Sequence, residues 1–141
     1  ITMHWLVMAG ALAWAGALAA QTYPVKPVRM IIPFPPGGGN DLAGRVVAAS
    51  LTERLGRQVI VDNRAGAGGV IGTELAANAA PDGYTLLMIS LAHTVTPWLY
   101  DLKGRYHPIK SFAPVAIVAA SPIVLVVHPG VPAQWWRRRR G

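Results

Sequence analysis

The chain has 141 residues, of which 52% are apolar and 13% are charged, and this composition is typical of a folded protein and not of a disordered one. Its formal charge is +7, but Arg137–Arg140 supply four of the thirteen basic residues and the others are scattered without interleaved aromatic residues, so nucleic-acid binding is not expected. The chain has no cysteine, which excludes disulfides, thiolate zinc sites and cysteine nucleophiles.

An uncharged apolar run at residues 4–20 opens the chain and ends in small residues. Ala17-Leu18-Ala19 fits the A-x-A cleavage rule, which would place Gln21 near the mature N-terminus. A membrane-spanning helix needs about 20 apolar residues and flanking anchors, whereas prolines follow this run at once. We therefore predict that residues 1–20 are a cleaved signal peptide; an uncleaved anchor is the alternative.

The start of this segment is atypical. No Lys or Arg precedes the apolar run, and the chain begins with Ile1 in place of methionine. Signal peptides normally carry positive charge at this point. We therefore expect translation to start upstream or at Met3, and the gene product to be incomplete.

A strand followed by a helix is predicted after the signal peptide. Val28–Phe34 is a short apolar run with branched residues, typical of a buried strand, and a loop rich in proline and glycine ends it. Asn40 or Asp41 can cap the next helix, which runs through Leu55 and stops at Gly56.

The remaining elements continue the alternation of strands and helices. We predict a strand at 58–62, a glycine loop at 63–69 and a helix at 70–80. A turn at 81–83 leads to a strand at 84–89, and a loop at 90–94 leads to a short helix that ends near residue 100. Two further strands are predicted at 115–119 and 123–128. This order is typical of a doubly wound α/β fold. We therefore predict an α/β fold with a mostly parallel sheet.

Two glycine-rich loops, Pro35–Asn40 and Asn63–Gly72, each follow a strand and open a helix. In an open α/β sheet, ligands bind outside the carboxyl ends of the strands. Glycine allows the backbone to approach a ligand closely, and helix N-termini favour an anion. The two loops therefore predict a site for a carboxylate; the alternative is that these glycines only make tight turns.

Neither loop fits a nucleotide-binding motif. A P-loop needs a lysine after the glycines, and none follows either cluster. The dinucleotide pattern G-x-G-x-x-G fails because Leu42 and Ile71 occupy the positions of its last glycine. No nucleotide or other cofactor is therefore expected.

The third loop contains Ser90, His93 and Thr94. A small α/β hydrolase that uses Ser90 and His93 is one alternative, but no G-x-S-x-G elbow surrounds the serine. A hydrogen bond from His93 to a ligand or within the loop is favoured over catalysis. The four histidines form no H-x-x-x-H pair, so no metal site is expected.

Two charged residues beside the glycine loops have local alternatives. Arg64 could bind a carboxylate or pair with Asp62 nearby. Asp41 could cap its helix without contacting any ligand.

Six stretches, taken together and in order, resemble the Bug-type receptors of tripartite tricarboxylate transporters. They are Tyr23-Pro24-x-Lys26-Pro27-Val28-Arg29, Ile32-Pro33-Phe34-Pro35-x-Gly37-Gly38-x-x-Asp41, Val61-x-Asn63-Arg64-x-Gly66-Ala67-Gly68-Gly69, Ala80-Pro81-Asp82-Gly83-Tyr84-Thr85-Leu86-Leu87, Phe112-Ala113-Pro114-Val115 and Val126-Val127-His128-Pro129. The resemblance covers residues 21–133.

The resemblance implies a type II periplasmic binding protein, in which two α/β lobes close over a small carboxylate-bearing solute. It implies a receptor and not an enzyme, located in the periplasm, whose partner is a two-component membrane permease. Residues 21–133 would be the N-terminal lobe of such a receptor. The residues that the resemblance assigns to solute binding lie in three loops: Phe34, Gly37, Gly38, Asn40 and Asp41; Ala65, Gly66, Ala67 and Gly68; Ser90, His93 and Thr94.

The chain also departs from the family pattern. Pro36 replaces a residue that is often small in the family, and Ala65 replaces a proline, so the sequence does not name the solute. Residues 134–141 do not match the family, and their Trp-rich and Arg-rich composition is typical of a frameshifted reading. Family members typically run to more than twice this length. We therefore expect one lobe with weak or no solute binding, or a receptor remnant without function.

Overall fold

A computed structural model describes residues 23–122, 124, 126–128 and 130. The predicted signal peptide at 1–20 and the predicted tail at 134–141 lie outside the described residues. None of the helices in the described part of the chain has both the length and the apolarity needed to span a membrane.

Three strands alternate with three helices, as predicted. The elements are β1 (Val28–Ile32), α1 (Gly39–Leu55), β2 (Val59–Asn63), a 3₁₀ turn (Ala67–Gly69), α2 (Val70–Ala77), β3 (Thr85–Leu87) and α3 (Ala92–Leu99). The prediction that α2 extends to residue 80 is wrong. The helix ends earlier because Pro81 disfavours helical geometry in the residue before it, and Ala79 already makes a shorter-range bond to the Ala76 carbonyl.

The strands form one parallel sheet in the order β2-β1-β3. Val28 lies opposite Val59, and Arg29 lies opposite Thr85. The prediction of a parallel α/β sheet is therefore confirmed. Because the strands run in the same direction, the loops that follow them all leave from one edge of the sheet, which we call the carboxyl edge.

The core lies between the sheet and α1. Val28, Met30, Ile32, Ala48 and Val59 are buried there. Each fully buried aliphatic side chain contributes about 1.5–3 kcal/mol. Helix α1 can approach the sheet closely because Gly44 has no Cβ atom. A Cβ atom added there would lie only 2.5 Å from Ile32 Cδ1.

The ends of α1 differ in part from the prediction. The N-cap is Gly38, which makes no side-chain cap, so the prediction that Asn40 or Asp41 is the N-cap is wrong. Asp41 lies instead in the first turn. Gly56 ends the helix as predicted, with a left-handed φ of 62°.

The two predicted C-terminal strands are absent from the described residues. Residues 115–119 are assigned no strand, and Val115 and Ile117 are 87% and 92% exposed. In the second predicted strand, residues 124 and 126–128 are described and do not form a strand, and residues 123 and 125 lie outside the described residues. A strand needs a neighbour for its backbone groups, and no described segment pairs with these residues.

Two of the six resembling stretches contact one another at the edge opposite to the carboxyl edge. The Tyr23 hydroxyl donates to the Gly83 carbonyl at 2.6 Å, and the Val25 amide donates to the Tyr84 hydroxyl at 2.9 Å. Lys26 Nζ lies 3.3 Å from Asp82 Oδ2 and over the Tyr84 ring. This group of contacts, the N-terminal latch, ties the segment before β1 to the turn before β3.

Candidate functional site

Three loops meet at the carboxyl edge and enclose a shallow cleft. They follow β1, β2 and β3, and include residues 33–38, residues 64–69 with the 3₁₀ turn, and residues 88–91. The cleft is shallow and opens onto the surrounding solvent. Its lining residues are Pro33, Phe34, Gly68, Gly69, Thr73, Ile89, Ser90, His93 and Thr96.

Four of the predicted site residues, one or more from each loop, line this cleft: Phe34, Gly68, Ser90 and His93. The other predicted residues are not in its lining: Gly37, Gly38, Asn40, Asp41, Ala65, Gly66, Ala67 and Thr94. Sequence reasoning missed Thr73 and Thr96. Thr73 lies in α2 and Thr96 in α3, and each of these helices follows a loop of the site. Polar residues in these two helices could have been predicted from the sequence as site residues.

Asp41 organises the first loop from inside α1. Its side chain is buried, with 2% exposure for the residue. The Gly37 amide donates to Asp41 Oδ2 at 2.8 Å, and Arg45 Nε donates to the same oxygen at 2.9 Å. Asn63 Nδ2, at the end of β2, donates to Asp41 Oδ1 at 2.9 Å and to the Phe34 carbonyl at 3.1 Å.

These bonds fix the charge of Asp41. Hydrogen bonds from Arg45, Gly37 and Asn63 lower the pKa of Asp41 to about 2, against the opposing effect of burial. The carboxylate is therefore ionised at neutral pH. Arg45 lies one helical turn further along and neutralises this charge.

The second loop adopts a left-handed backbone. Ala67 has a φ of 46°, and Gly68 and Gly69 have φ values of 63° and 99°. The Tyr100 ring lies directly over Gly68, where an added Cβ atom would be 2.8 Å from the ring. Gly72 lies against the backbone of another segment, since a Cβ atom added there would be 2.6 Å from the Arg64 carbonyl oxygen. Glycine is therefore required by backbone conformation at Gly68 and by lack of space at Gly72.

Arg64 pairs with its neighbour and does not line the cleft. Its Nε donates to Asp62 Oδ1 at 2.9 Å, and Arg29 pairs with the other oxygen of the same carboxylate. Burial alone would raise the pKa of Asp62, but the hydrogen bonds from Arg29 and Arg64 outweigh it and lower the pKa. Of the two alternatives for Arg64, the structure has the pair with Asp62.

The third loop is shorter than predicted. Helix α3 begins at Ala92, so the prediction that His93 and Thr94 lie in a loop is wrong. Ser90 Oγ accepts a bond from the Ala92 amide at 3.3 Å, and Thr94 Oγ1 donates to the Leu91 carbonyl at 2.7 Å. These two side chains stabilise the start of the helix, which explains why it can begin so soon after β3.

His93 is held by the segment that follows α3. Its Nε2 lies 2.8 Å from the Pro108 carbonyl oxygen, and because a carbonyl only accepts, Nε2 is the protonated nitrogen. The ring stacks on Tyr106 and meets Phe112 edge-on. Its Nδ1 is buried and has no partner among the described residues.

This arrangement is not that of a Ser–His nucleophile. Among the described residues, the side chains of Ser90 and His93 bond to backbone groups and not to each other. A serine nucleophile needs its base within hydrogen-bond reach. The residues that the structure describes also include no group of three His, Cys, Asp or Glu that could hold a metal ion.

The cleft can hold a small polar or anionic group with uncharged donors. Its lining contains no Asp, Glu, Lys or Arg. The hydroxyl groups of Ser90 and Thr73 and the backbone of Gly68 are polar groups in this lining. The Nε2–H of His93 already donates to the Pro108 carbonyl and is not available to a ligand. Backbone amides at positive-φ loops are suited to anions.

The family of the chain is decided by comparison with known proteins. The model of the tripartite tricarboxylate transporter family receptor matches residues 43–137, which include residues 134–137 of the tail that was predicted not to match the family. The chain belongs to this receptor family. The prediction made from the six stretches is therefore confirmed.

Curated relatives in this receptor family are much longer than the chain. Protein BugT of Bordetella pertussis is 46% identical over 116 residues, which are 82% of this chain and 36% of BugT. A UPF0065 protein from the tcbD-tcbE intergenic region of Pseudomonas sp. strain P51 is 42% identical over 76% of this chain and 32% of its own length. The chain thus spans about a third of the length of these relatives.

Solved structures of receptors in the family share the fold. The periplasmic binding protein BugD is 44% identical, with a TM-score of 0.62 over 65% of this chain and 30% of BugD. MatC from Rhodopseudomonas palustris, solved with bound malate, is 35% identical, with a TM-score of 0.57 over 68% of this chain and 33% of MatC. The α/β fold of this chain is therefore that of part of a periplasmic binding protein.

Proposed function

We propose that this chain forms one wall of a periplasmic receptor that captures a small carboxylate-bearing solute for a tripartite tricarboxylate-type transporter. The observation that carries the proposal is the cleft at the carboxyl edge, whose polar side chains are hydroxyl groups and one imidazole and whose lining contains no Asp, Glu, Lys or Arg. The malate bound to MatC supports the same class of solute.

The donors suit a carboxylate of modest size. Ser90 and Thr73 line the cleft with hydroxyl groups, and Gly68 and Gly69 line it without side-chain bulk. An ionised carboxylate gains about twice as much from such bonds as a neutral acceptor does. Phe34 and Ile89 supply apolar surface beside them, which suits a short carbon chain.

The proposal includes a location and a partner. Residues 1–20 would direct export, residues 21–133 would form the first lobe, and the loaded receptor would deliver its solute to a two-component membrane permease. A second lobe would close over the cleft. The cleft described here is shallow and open, so this chain alone should bind its solute weakly.

The first prediction is that malate binds this cleft in a way that depends on Ser90. Amide resonances of the 141-residue protein should shift on titration with malate, and the shifts should concentrate at the three loops. We expect Ser90→Ala to weaken the apparent affinity about tenfold, since a charge-assisted hydrogen bond is lost. Titration followed by NMR suits this measurement because it detects millimolar binding.

Ser111→Ala is the matched control. Ser111 Oγ accepts a backbone amide bond from His107 at 2.9 Å, as Ser90 Oγ accepts one from Ala92, but Ser111 does not line the cleft. Its affinity should equal that of the wild type. Malamide, the uncharged diamide, should give no shifts at the loops. Loop shifts of equal size with malamide, or none with any dicarboxylate, would contradict the proposal.

A further inference from the structure

We propose that Asp41 is a positioning residue for the solute cleft, which sets the shape of the first loop through Gly37 and Asn63 and does not itself touch the solute. This inference rests on the proposed function and deepens it. It assigns to Asp41 a role different from the solute contact that the family resemblance implies.

The bonds of Asp41 are the first observation. Both carboxylate oxygens are used within the protein, by the Gly37 amide, by Arg45 and by Asn63. The side chain is buried and is absent from the cleft lining. A carboxylate that is already bonded and shielded in this way has no oxygen directed at a solute.

The connection to the cleft is the second observation. Asn63 joins Asp41 to the Phe34 carbonyl, and Phe34 lines the cleft. Arg45 also reaches Asn63 Oδ1, at 3.3 Å. The Asp41–Asn63–Arg45 network therefore ties three parts of the chain together: the loop after β1, the start of α1 and the end of β2.

Charge gives the third argument. An unpaired carboxylate beside the cleft would repel an anionic solute. The pairing with Arg45 at 2.9 Å compensates this negative charge within the protein. A network that is neutral overall can thus shape the loop without opposing the binding of an anion.

The test compares Asp41→Ala and Asp41→Asn with the wild-type 141-residue protein by NMR. Hydrogen exchange of the Gly37 amide should become about tenfold faster in Asp41→Ala, because its acceptor is gone. The malate affinity measured by titration should fall about tenfold, with the largest resonance changes at Phe34. Asp41→Asn keeps an amide oxygen as an acceptor for Gly37, so it should restore part of both effects.

Asp82→Ala is the control for a merely structural role. Asp82 accepts a bond from the Tyr84 amide at 3.0 Å and one from Lys26 at 3.3 Å, so it resembles Asp41 in its partners but lies in the N-terminal latch. Its removal should leave both the Gly37 exchange and the malate affinity unchanged. An equal loss of affinity in Asp82→Ala would overturn the inference.

The two proposals fail in different ways. If the wild type gives no loop shifts with malate, the proposed function fails, while the Gly37 exchange still measures the positioning by Asp41. If malate binds and both Asp41 variants keep wild-type exchange at Gly37, the positioning role fails alone. Should Asp41→Ala not fold, Asp41→Asn provides the same comparison with a smaller expected change.

Discussion

Ala67 lies in a conformation that is unfavourable for alanine. Its φ is 46°, in the left-handed region, between Gly66 and Gly68, which also have positive φ. A residue with a Cβ atom is strained there, whereas glycine is not. Strain of this kind is often found at functional sites, and Ala67 belongs to the loop that borders the cleft.

We predict that Ala67→Gly stabilises the protein by about 0.5–1 kcal/mol, because relief of the left-handed strain exceeds the entropy that glycine adds to the unfolded chain. Urea denaturation followed by circular dichroism measures the change. Ala49→Gly, at an exposed position in the middle of α1, should do the opposite and cost about 1 kcal/mol. Equal destabilisation in both variants would contradict the strain at Ala67.

At the scale of elements, glycine decides how closely α2 approaches the loops. A Cβ atom at Gly72 would lie 2.6 Å from the Arg64 carbonyl oxygen and 2.9 Å from Pro33 Cα. Both atoms belong to the backbone and cannot move aside as a side-chain tip can. The close contact fixes α2 against the loops after β1 and β2.

We predict that Gly72→Ala destabilises the protein by about 1–3 kcal/mol through this steric conflict. The thermal midpoint or a urea titration would report it. Gly39→Ala is the control, since nothing lies within 4 Å of the added Cβ atom at the start of α1. That variant should be neutral or slightly stabilising, and a loss like that of Gly72→Ala would refute the contact.

The sequence predicted the order of the first three strands and helices better than it predicted the residues at which each one begins and ends. Strand and helix alternation was evident because apolar runs and glycine loops are local signals. The start of α1 was misjudged because Asn40 and Asp41 are good caps in isolation, while Asp41 is drawn inward by Asn63, which lies 22 residues away in the chain. The strand predicted at 115–119 failed because apolar, branched residues favour a strand only where a neighbour pairs with it.

At the scale of the whole molecule, three aspartates link stability to pH. The pKa values of Asp41, Asp62 and Asp82 are all lowered in the folded protein, by basic partners and by backbone amides. A carboxyl group whose pKa is lower in the folded than in the unfolded protein stabilises the folded state at every pH above the unfolded-state pKa. This stabilisation is lost as the pH falls through the pKa of the folded state. For Asp41 the interval runs from 3.8 down to about 2.

We therefore predict that these three aspartates stabilise the folded protein at neutral pH and that their contribution is lost as the pH falls below about 4. Asp41→Asn should be less stable than the wild type at pH 7 and should lose less on acidification, since one of the linked groups no longer titrates. Urea titrations at pH 7, 4 and 2.5 would measure both changes. Parallel pH profiles of the two proteins would show that Asp41 is not a linked group.

The sheet has only three described strands, so β2 and β3 are both edge strands. Exposed apolar residues such as Val115 and Ile117 lie in the segment after them. Open edges and apolar segments of this kind favour association with another chain or another part of the same protein. This agrees with a chain that spans about a third of its relatives.

The sequence by itself determined the three strand–helix units, the parallel sheet, the receptor family and the loops that meet at the carboxyl edge. These follow from hydrophobic period, glycine position and motif order, all of which are local along the chain. Only the tertiary structure decided that Thr73 and Thr96 line the cleft, that Arg64 pairs with Asp62, and that the Asp41 carboxylate is turned inward. The physical reason is that the direction of a side chain depends on the partners that packing brings to it, and those partners come from distant parts of the sequence.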